Sequence, residues 1–377
     1  NTKKKKKTKS DQKKEEKRQE SLARAEVGYN LFSYFDKAII LDEQLRQSDD
    51  DKFAKIVQNV RYGRGDDENY DDIGNRMLPD YTDSGTKTAA PRLNFFDPTR
   101  QMSKIITSTN STRRELNDLL VENFARMHNQ PVFKIYCTDT FTLEDSKYAP
   151  SESLIRRVRD IPDEKTENIA GVLTVTYGVP LMILKNTSVP LGVTNGSQGT
   201  LDRIIFNNDD HTKYDFSKFR IYHVTEMPEL LLIKFDANTL KFKETKHLGQ
   251  DLFPLAPTTA NFQLKYTKKK DSYSIKVKRR GFAVTPAFCI TIHKSQGETM
   301  DNGIVDLVPA CKNYDAALPY VALSRYRSLQ NIHLLRKFDR EVISKAPRLG
   351  LTNFYGNARQ FEKNLIRQLE SNRLYRE

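Results

Sequence analysis

Cysteine is scarce. Cys137, Cys289 and Cys311 are the three in 377 residues, too few and too scattered for a disulfide framework or a structural zinc site. They read as thiols of a reducing compartment. No apolar run approaches the ~20 residues that a bilayer-spanning helix needs, and no signal-peptide core follows the lysine-rich start. A glycine-rich phosphate loop, GxxxxGK followed by Ser or Thr, occurs nowhere. Evenly spread charge is missing too. The formal net charge is +13, and residues 1–20 contribute +6 (ten basic, four acidic) while residues 265–280 contribute +7 (eight basic, one acidic). The other 341 residues sum to zero. Secreted, membrane-spanning, zinc-finger and uniformly basic classes are therefore excluded. What remains is a neutral globular body, long enough for two or three domains, with two local basic elements.

The opening NTKKKKKTKSDQKKEEKRQE has no apolar period and reads as a solvated tail or linker, a nuclear-import signal or a nonspecific nucleic-acid arm. Helical periodicity starts near Leu22 and runs through Leu31 and Phe35, and the apolar run Ala38 to Leu41 reads as a strand. Phe53, Ile56, Val57 and Val60 share one face of a second helix. Pro79, Asp80, Asp83, Ser84 and Gly85 mark a loop. Ile105-Ile106 reads as a buried strand before a helix from about Thr112 to Met127, with Leu116, Leu119, Leu120 and Phe124 at helical spacing. From about residue 130 short strands dominate, among them VLTVTY, PLMILKN, GTLDRIIF, ELLLIKF and SYSIKVKR. Helical character returns after Thr291 and ends in a helix from about Ala358 to Leu374. This is an α/β body interrupted by an all-β insert.

Three segments could carry chemistry. AIILDE, residues 38–43, has the form of a Walker B strand whose acidic pair would hold Mg²⁺, but a single glycine, Gly28, precedes it, so an ordinary strand end is the better reading. TIHKSQGETMD, residues 291–301, follows the apolar Ala287-Phe288-Cys289-Ile290. Its hydroxyls, imidazole and backbone N–H groups can all reach phosphate oxygens. YVALSR, residues 320–325, leaves Arg325 at a helix end, where a planar cation can stabilise charge in phosphoryl transfer. A fourth segment, KYTKKKDSYSIKVKRR, alternates: Tyr273, Ile275 and Val277 on one face, Ser274, Lys276 and Lys278 on the other. Either it is a solvated hairpin, or its cations, with Lys268, Lys269 and Lys270, lie over a DNA path.

TIHKSQGETMD followed by YVALSR resembles motifs V and VI of the superfamily 1B helicases, the group of RecD and the petite-integration-frequency (PIF) DNA helicases. LDEQLRQ at 41–47 with FAKIVQNVRYG at 53–63 is similar to the motif IV region, and IITSTNSTRRELN at 105–117 to the segment after it. YGVPLMILKNTSVPLGVTNGSQGTL at 177–201 resembles the opening of that family's SH3-like 2B insertion. The resemblance spans about residues 30–340 and departs from the family at Pro319, where many relatives have Gln, and at Glu298, where Gln or Ser is common.

The resemblance implies an α/β fold: a RecA-like second motor domain of the P-loop NTPase type, carrying an inserted SH3-like all-β 2B subdomain. Residues 1–25 would be a disordered basic tail, 26–130 the first part of domain 2A, 131–280 the 2B insertion, 281–345 the second part of 2A and 346–377 a C-terminal helix. Arg325 and Arg46 would contact the γ-phosphate of ATP, with Gln47, Gly297 and Glu298 at the nucleotide edge. Thr107, Asn110, Thr291, His293, Lys294, Ser295 and Gln296 would touch single-stranded DNA. The partners implied are single-stranded DNA, single-strand/duplex junctions and ATP with Mg²⁺, the metal ligands belonging to a phosphate-loop domain not found in these residues. The start at Asn1 rather than methionine fits an excerpt of a longer chain. The implied function is the motor half of an ATP-dependent 5′→3′ DNA helicase, nuclear or also mitochondrial. A non-catalytic nucleic-acid-binding remnant and the helicase part of a rolling-circle transposon protein remain as alternatives.

Overall fold

The computed structural model describes residues 9–32, 34–35, 37–40, 44–78, 103–143, 146–147, 149–207, 214, 217–236, 251–268, 271–311, 314–346 and 349–374. Leu41 to Glu43, the loop residues Pro79 to Gly85, and Lys269 and Lys270 lie outside them. The chain divides into two compact units, one of Asn1–Leu45 with Pro347–Glu377, the other of Arg46–Ala346.

In the first unit Lys9–Phe32 form helix α1. This corrects the expected disordered tail over residues 1–25 from Lys9 onward. Lys, Glu, Arg, Gln and Ala are strong helix formers and sustain a helix with no apolar face. Every described side chain of α1 is exposed, Leu22, Val27 and Leu31 included. The apolar run at Ala38 to Ile40 is not a strand, and Ile39 is 76% exposed. A four-residue apolar run becomes a strand only where a ladder partner exists. The backbone N–H of Ile40 instead donates to Glu362 Oε1 at 2.7 Å.

The second unit opens with α2 (Asp51–Arg61) and α3 (Asp67–Gly74). Asp50 caps α2 by accepting from Phe53 N at 2.9 Å, and Phe53, Ile56, Val57 and Val60 are all buried, as their spacing requires. Strand β1 (Lys104–Thr107) leads into α4 (Asn110–Met127). An insert follows: β2 (Val132–Tyr136), β3 (Thr138–Leu143), β4 (Ser146–Lys147), α5 (Glu152–Arg159), β5 (Val172–Val175), β6 (Pro180–Ile183), β7 (Gln198–Ile205) and β8 (Ile221–Val224). It continues through β9 (Leu230–Lys234), β10 (Leu252–Leu255), β11 (Thr258–Lys268), β12 (Asp271–Gly281) and β13 (Val284–Pro286). The chain then returns through β14 (Cys289–Thr291), β15 (Gly303–Val305), α6 (Ala317–Leu323), β16 (Ile332–Leu334) and α7 (Glu341–Ser344). In the other unit Leu349–Leu374 form α8.

The body is mixed α/β around a parallel sheet of order β14-β1-β15-β16. Its core joins Phe53, Ile56 and Val60 of α2 to Ile106, Ile290, Val305, Leu323 and Tyr326. The insert holds a five-stranded antiparallel sheet β10-β9-β7-β6-β13, the sheet β11-β12-β3-β4, and the three-stranded β5-β2-β8. The five sequence-predicted strands are all present. The face of α4 differs from the periodic reading: Arg113, Asn117, Val121, Phe124 and Ala125 are buried and Leu119 is exposed. Polar Arg113 and Asn117 face inward because each meets a specific partner. Asn117 Nδ2 donates to Cys289 O at 2.9 Å, and Cys289 N donates to Asn117 Oδ1 at 2.8 Å. Arg113 Nη2 donates to both oxygens of Asp163 at 2.8 and 2.6 Å.

Two outcomes follow from this packing. Burial pushes the thiols of Cys137 and Cys289 up to about 12, whereas Cys311 is exposed. A thiol-specific reagent at pH 8 should therefore modify one cysteine in the native chain and three after denaturation; two fast native sites would contradict the fold. Burial raises the Asp163 carboxyl, but the Arg113 charge and hydrogen bonds outweigh it, so the net shift is downward. A carboxyl depressed in the folded state stabilises above its unfolded value and loses that contribution as pH falls through the folded one. Asp163→Asn should cost roughly 3–5 kcal/mol at pH 7, because Arg113 is left buried without its counter-charge. The difference in Tm from the parent should shrink as pH falls below about 4; a gap that stays constant would remove the ion pair from that role.

Candidate nucleotide and DNA interface

The parallel register pairs Thr107 of β1 with Thr291 of β14, so both strands end together at the carboxyl edge of the sheet. Crevices outside that edge are where open α/β sheets bind ligands. On one side starts α4, capped by Thr109 Oγ1, which accepts from Thr112 N at 3.2 Å. On the other runs the 3-10 turn Ile292–Ser295. Asn110, Thr291 and Lys294 are half-buried there, and His293 and Gln296 are exposed. Burial and the nearby Arg113 charge lower the Lys294 ammonium, and its Nζ donates to Asn195 Oδ1 in a turn of the insert.

Two expected DNA contacts are closed to solvent. Thr107 is fully buried and donates to Asp306 Oδ2 at 3.1 Å; Asp306 in turn accepts from Arg336 Nε and Nη2 at 2.9 and 2.8 Å. Ser295 is also fully buried and donates to Ile292 O at 2.8 Å. Both hydroxyls satisfy the strand ends and shape the edge rather than presenting donors to a ligand.

Gly297 has a local explanation. Glu298 N donates to Ser295 O at 3.0 Å, Gln296 has φ −63° and ψ 127°, and Gly297 has φ 91°. That is a type II turn, whose third residue must take positive φ, so Gly297 is needed to turn the chain. The turn delivers Glu298 and Thr299 to a second edge. There Arg46 Nε donates to Thr299 Oγ1 at 3.0 Å and its Nη1 to Ser324 O at 2.7 Å. Gln47, buried, donates to Tyr326 O at 2.5 Å. Arg325 is 9% exposed and folds back on its own helix end, Nε to Val321 O at 2.8 Å and Nη2 to Ser324 Oγ at 2.7 Å. Burial, and then the like charge of Arg46, disfavour its charged form. Among the described residues neither arginine has a carboxylate partner within salt-bridge distance. Two adjacent guanidiniums, neither in a salt bridge among the described residues and only Arg325 acted on by the Glu298 charge, are an arrangement suited to a multiply charged anion.

Glu298 is already engaged. Its Oε2 accepts from Lys104 Nζ at 2.9 Å, its Oε1 accepts from Gln198 Nε2, and Lys104 Nζ also donates to Gln198 Oε1 at 2.6 Å. This network borders a cavity of about 300 Å³ lined by Lys104, Gln198, Glu298, Thr299 and Asp301, among others. Arg46, Gln47, Glu298 and Arg325, which the sequence reading assigned to one nucleotide edge, lie on neighbouring segments. That reading missed Thr299, Ser324, Lys104 and Gln198. Thr299 and Ser324 sit within or beside the quoted motifs and could have been found there; a lone Lys at a strand start or Gln at a hairpin base carries no signal. Among the described residues no group of three or more His, Cys, Asp or Glu can hold a metal ion, and no helix is long and apolar enough to cross a membrane.

No protein-family model matches the chain. It is 30% identical over 189 residues to the ATP-dependent DNA helicase Pif1 of Psychrobacter sp., a match covering 47% of this chain and 28% of that protein. It is 42% identical over 62 residues to the ATP-dependent DNA helicase Pif1 of Bdellovibrio bacteriovorus, covering 16% and 13%. The solved Pif1 helicase of Candida albicans aligns at TM-score 0.48 and 19% identity over 83% of this chain and 59% of that one. Bacteroides Pif1 bound to single-stranded DNA aligns at 0.48 and 17%, over 82% and 54%. The chain thus spans a minor part of the length of the curated relatives it matches. Over 47% of its residues, then, the chain is similar to a protein named ATP-dependent DNA helicase Pif1.

Proposed function

We propose that this chain is the RecA-like second motor domain, with its 2B insertion, of an ATP-dependent 5′→3′ DNA helicase. The carrying observation is the convergence of Arg46 and Arg325 on the Ser324 helix end, neither of them in a salt bridge among the described residues. A nucleotide triphosphate supplies the missing negative charge. Arg325 would leave Val321 O and Ser324 Oγ for the γ-phosphate when a phosphate-loop domain closes on it, and Arg46 would hold the adjoining loop in place. These 377 residues contain no phosphate loop, so the other half of the nucleotide site, with any Mg²⁺, belongs to that second domain. Asn110, Thr291, His293 and Lys294 line the edge at which a single strand's phosphates would be held and released. The five-stranded sheet β10-β9-β7-β6-β13 is read as the SH3-like part of the insert, on the strand–turn–strand run at 180–205.

In the protein carrying both motor domains, Arg325→Ala should lower DNA-stimulated phosphate release by about 10³-fold or more, the range of an arginine finger. Single-strand affinity should stay within about twofold by the same logic, since the residue touches nucleotide and not DNA. Near-normal hydrolysis in that variant would take Arg325 out of the role. Lys294→Gln in the 377-residue chain should lower the salt slope of single-strand binding by about 0.7, the value for one lost phosphate contact. An unchanged slope would separate Lys294 from the DNA edge.

A further inference from the structure

Three side chains beside the candidate nucleotide edge close into a ring of hydrogen bonds. Lys104 opens β1, Gln198 opens β7 of the insert, and Glu298 follows the turn at Gly297. Lys104 Nζ donates to Glu298 Oε2 at 2.9 Å and to Gln198 Oε1 at 2.6 Å, and Gln198 Nε2 donates to Glu298 Oε1. Both carboxylate oxygens are therefore engaged, one by a cation of the parallel sheet and one by an amide of the insert. The same hairpin holds the other end of this segment, since Asn195 accepts from Lys294 Nζ. All three side chains are half-buried, and the ring borders the cavity of about 300 Å³, which gives Glu298 room to turn.

A competing partner for that carboxylate is close. Arg325 Nη1 donates to the backbone carbonyl of Glu298 at 3.5 Å. A glutamate side chain is long enough to bring its carboxylate to a cation that its own carbonyl already touches. Burial, then the like charge of Arg46, disfavours the charged form of Arg325, while Tyr320 and then Glu298 favour it. A planar guanidinium in such surroundings pairs readily with a carboxylate, through the same donors that would hold phosphate oxygens. A released Glu298 would therefore occupy Arg325 and cancel the charge that phosphoryl transfer needs. We propose that Lys104 and Gln198 are positioning residues for Arg325, holding the Glu298 carboxylate away from its guanidinium so that the cation stays open to a triphosphate. Through Gln198 the insert takes part in the nucleotide edge. The proposal rests on Arg325 acting on nucleotide and adds what keeps it available.

The test follows DNA-stimulated ATP hydrolysis in the protein carrying both motor domains, with Lys104→Met and Gln198→Leu each made in the parent and in a Glu298→Gln background. In the parent, Lys104→Met should lower kcat by about tenfold, part of the ~10³-fold reach of an arginine finger. Gln198→Leu, which keeps the ion pair, should lower kcat by about threefold, and KM for ATP should stay within about twofold in both, the pattern of a lost transition-state contact. In the Glu298→Gln background no carboxylate is released, and the same changes should cost less than about twofold in kcat. An equal cost in both backgrounds overturns the proposal, because a merely structural part for Lys104 and Gln198 does not depend on the Glu298 charge. An unchanged kcat in the parent background overturns it too, and Gln198→Leu carries the test if Lys104→Met does not fold. A parent protein without DNA-stimulated hydrolysis overturns the motor reading itself. An inactive Arg325→Ala beside costs that ignore the Glu298 background overturns this positioning role alone.

Discussion

The amide of Asn117 stands in for a missing strand. Strand β14 lies at the edge of the parallel sheet, and its Cys289 N–H and C=O bond to the Asn117 side chain as they would to a neighbouring backbone. The two partners are 172 residues apart, with the whole insert between them. Strands of three or four residues have few ladder bonds of their own, so this pair helps decide where β14 sits. Each bond contributes only about 0.5–1.5 kcal/mol net, but a buried amide left unmade costs about 1–3 kcal/mol. Everything after Thr291 depends on that placement, because the candidate DNA-binding segment begins where β14 stops. Arg113, one turn earlier on α4, anchors the same helix to Asp163 of the insert. One helix thus fixes the sheet edge with one polar residue and the insert with another, and its amino end frames the candidate DNA edge.

The candidate nucleotide edge shows the same economy. It is assembled from three short segments: Arg46-Gln47, the Ser295–Thr299 turn and Ser324–Tyr326. Arg46 and Gln47 lie in a single 3-10 turn, Leu45–Gln47, and no α-helix or strand interior supplies the rest. Backbone carbonyls of Ser324 and Tyr326 accept from Arg46 and Gln47, so the arginine is oriented by neutral acceptors that leave its charge uncompensated. Glu298, the nearby carboxylate, is already held by Lys104 and Gln198. Polarity is therefore arranged so that the site stays cationic although acidic residues lie close. A guanidinium held by carbonyls can exchange them for phosphate oxygens at small reorganisation, which is the condition for charge stabilisation in phosphoryl transfer.

How much of this was legible in sequence depended on whether a residue's role is local. The face of α2 and the insert strands follow from spacing and backbone preference alone. Ala38 to Ile40 look like a strand locally, yet a strand exists only with a neighbour. Leu119 fits the helical period of α4, but Arg113 and Asn117 take the buried side because Asp163 and Cys289 lie opposite. Thr107 and Ser295 carry the right chemistry to hold phosphate, and the closing of the strand ends buries them. The motif order found the segments; only tertiary partners distinguish the side chains that support an edge from those that present it.

The basic stretch at 265–280 makes that distinction within a single strand. Lys278, Arg279 and Arg280 are consecutive cations, equivalent in any count of charge. The pleat sends Arg279 inward, where it is fully buried against Asp139, donates from Nη2 to the carbonyl of Val158 at 2.8 Å and lies 5.3 Å from the Phe262 ring. It sends Lys278 and Arg280 to the opposite face, where both are exposed. A one-residue slip of β12 would exchange the sets, exposing Ile275 and Val277 and burying Lys276 and Lys278. Arg279 therefore does more than neutralise Asp139: its demand for that partner specifies the register that keeps the outer face cationic. One of the eight basic residues serves the structure, and its fixed position decides which of its neighbours face solvent.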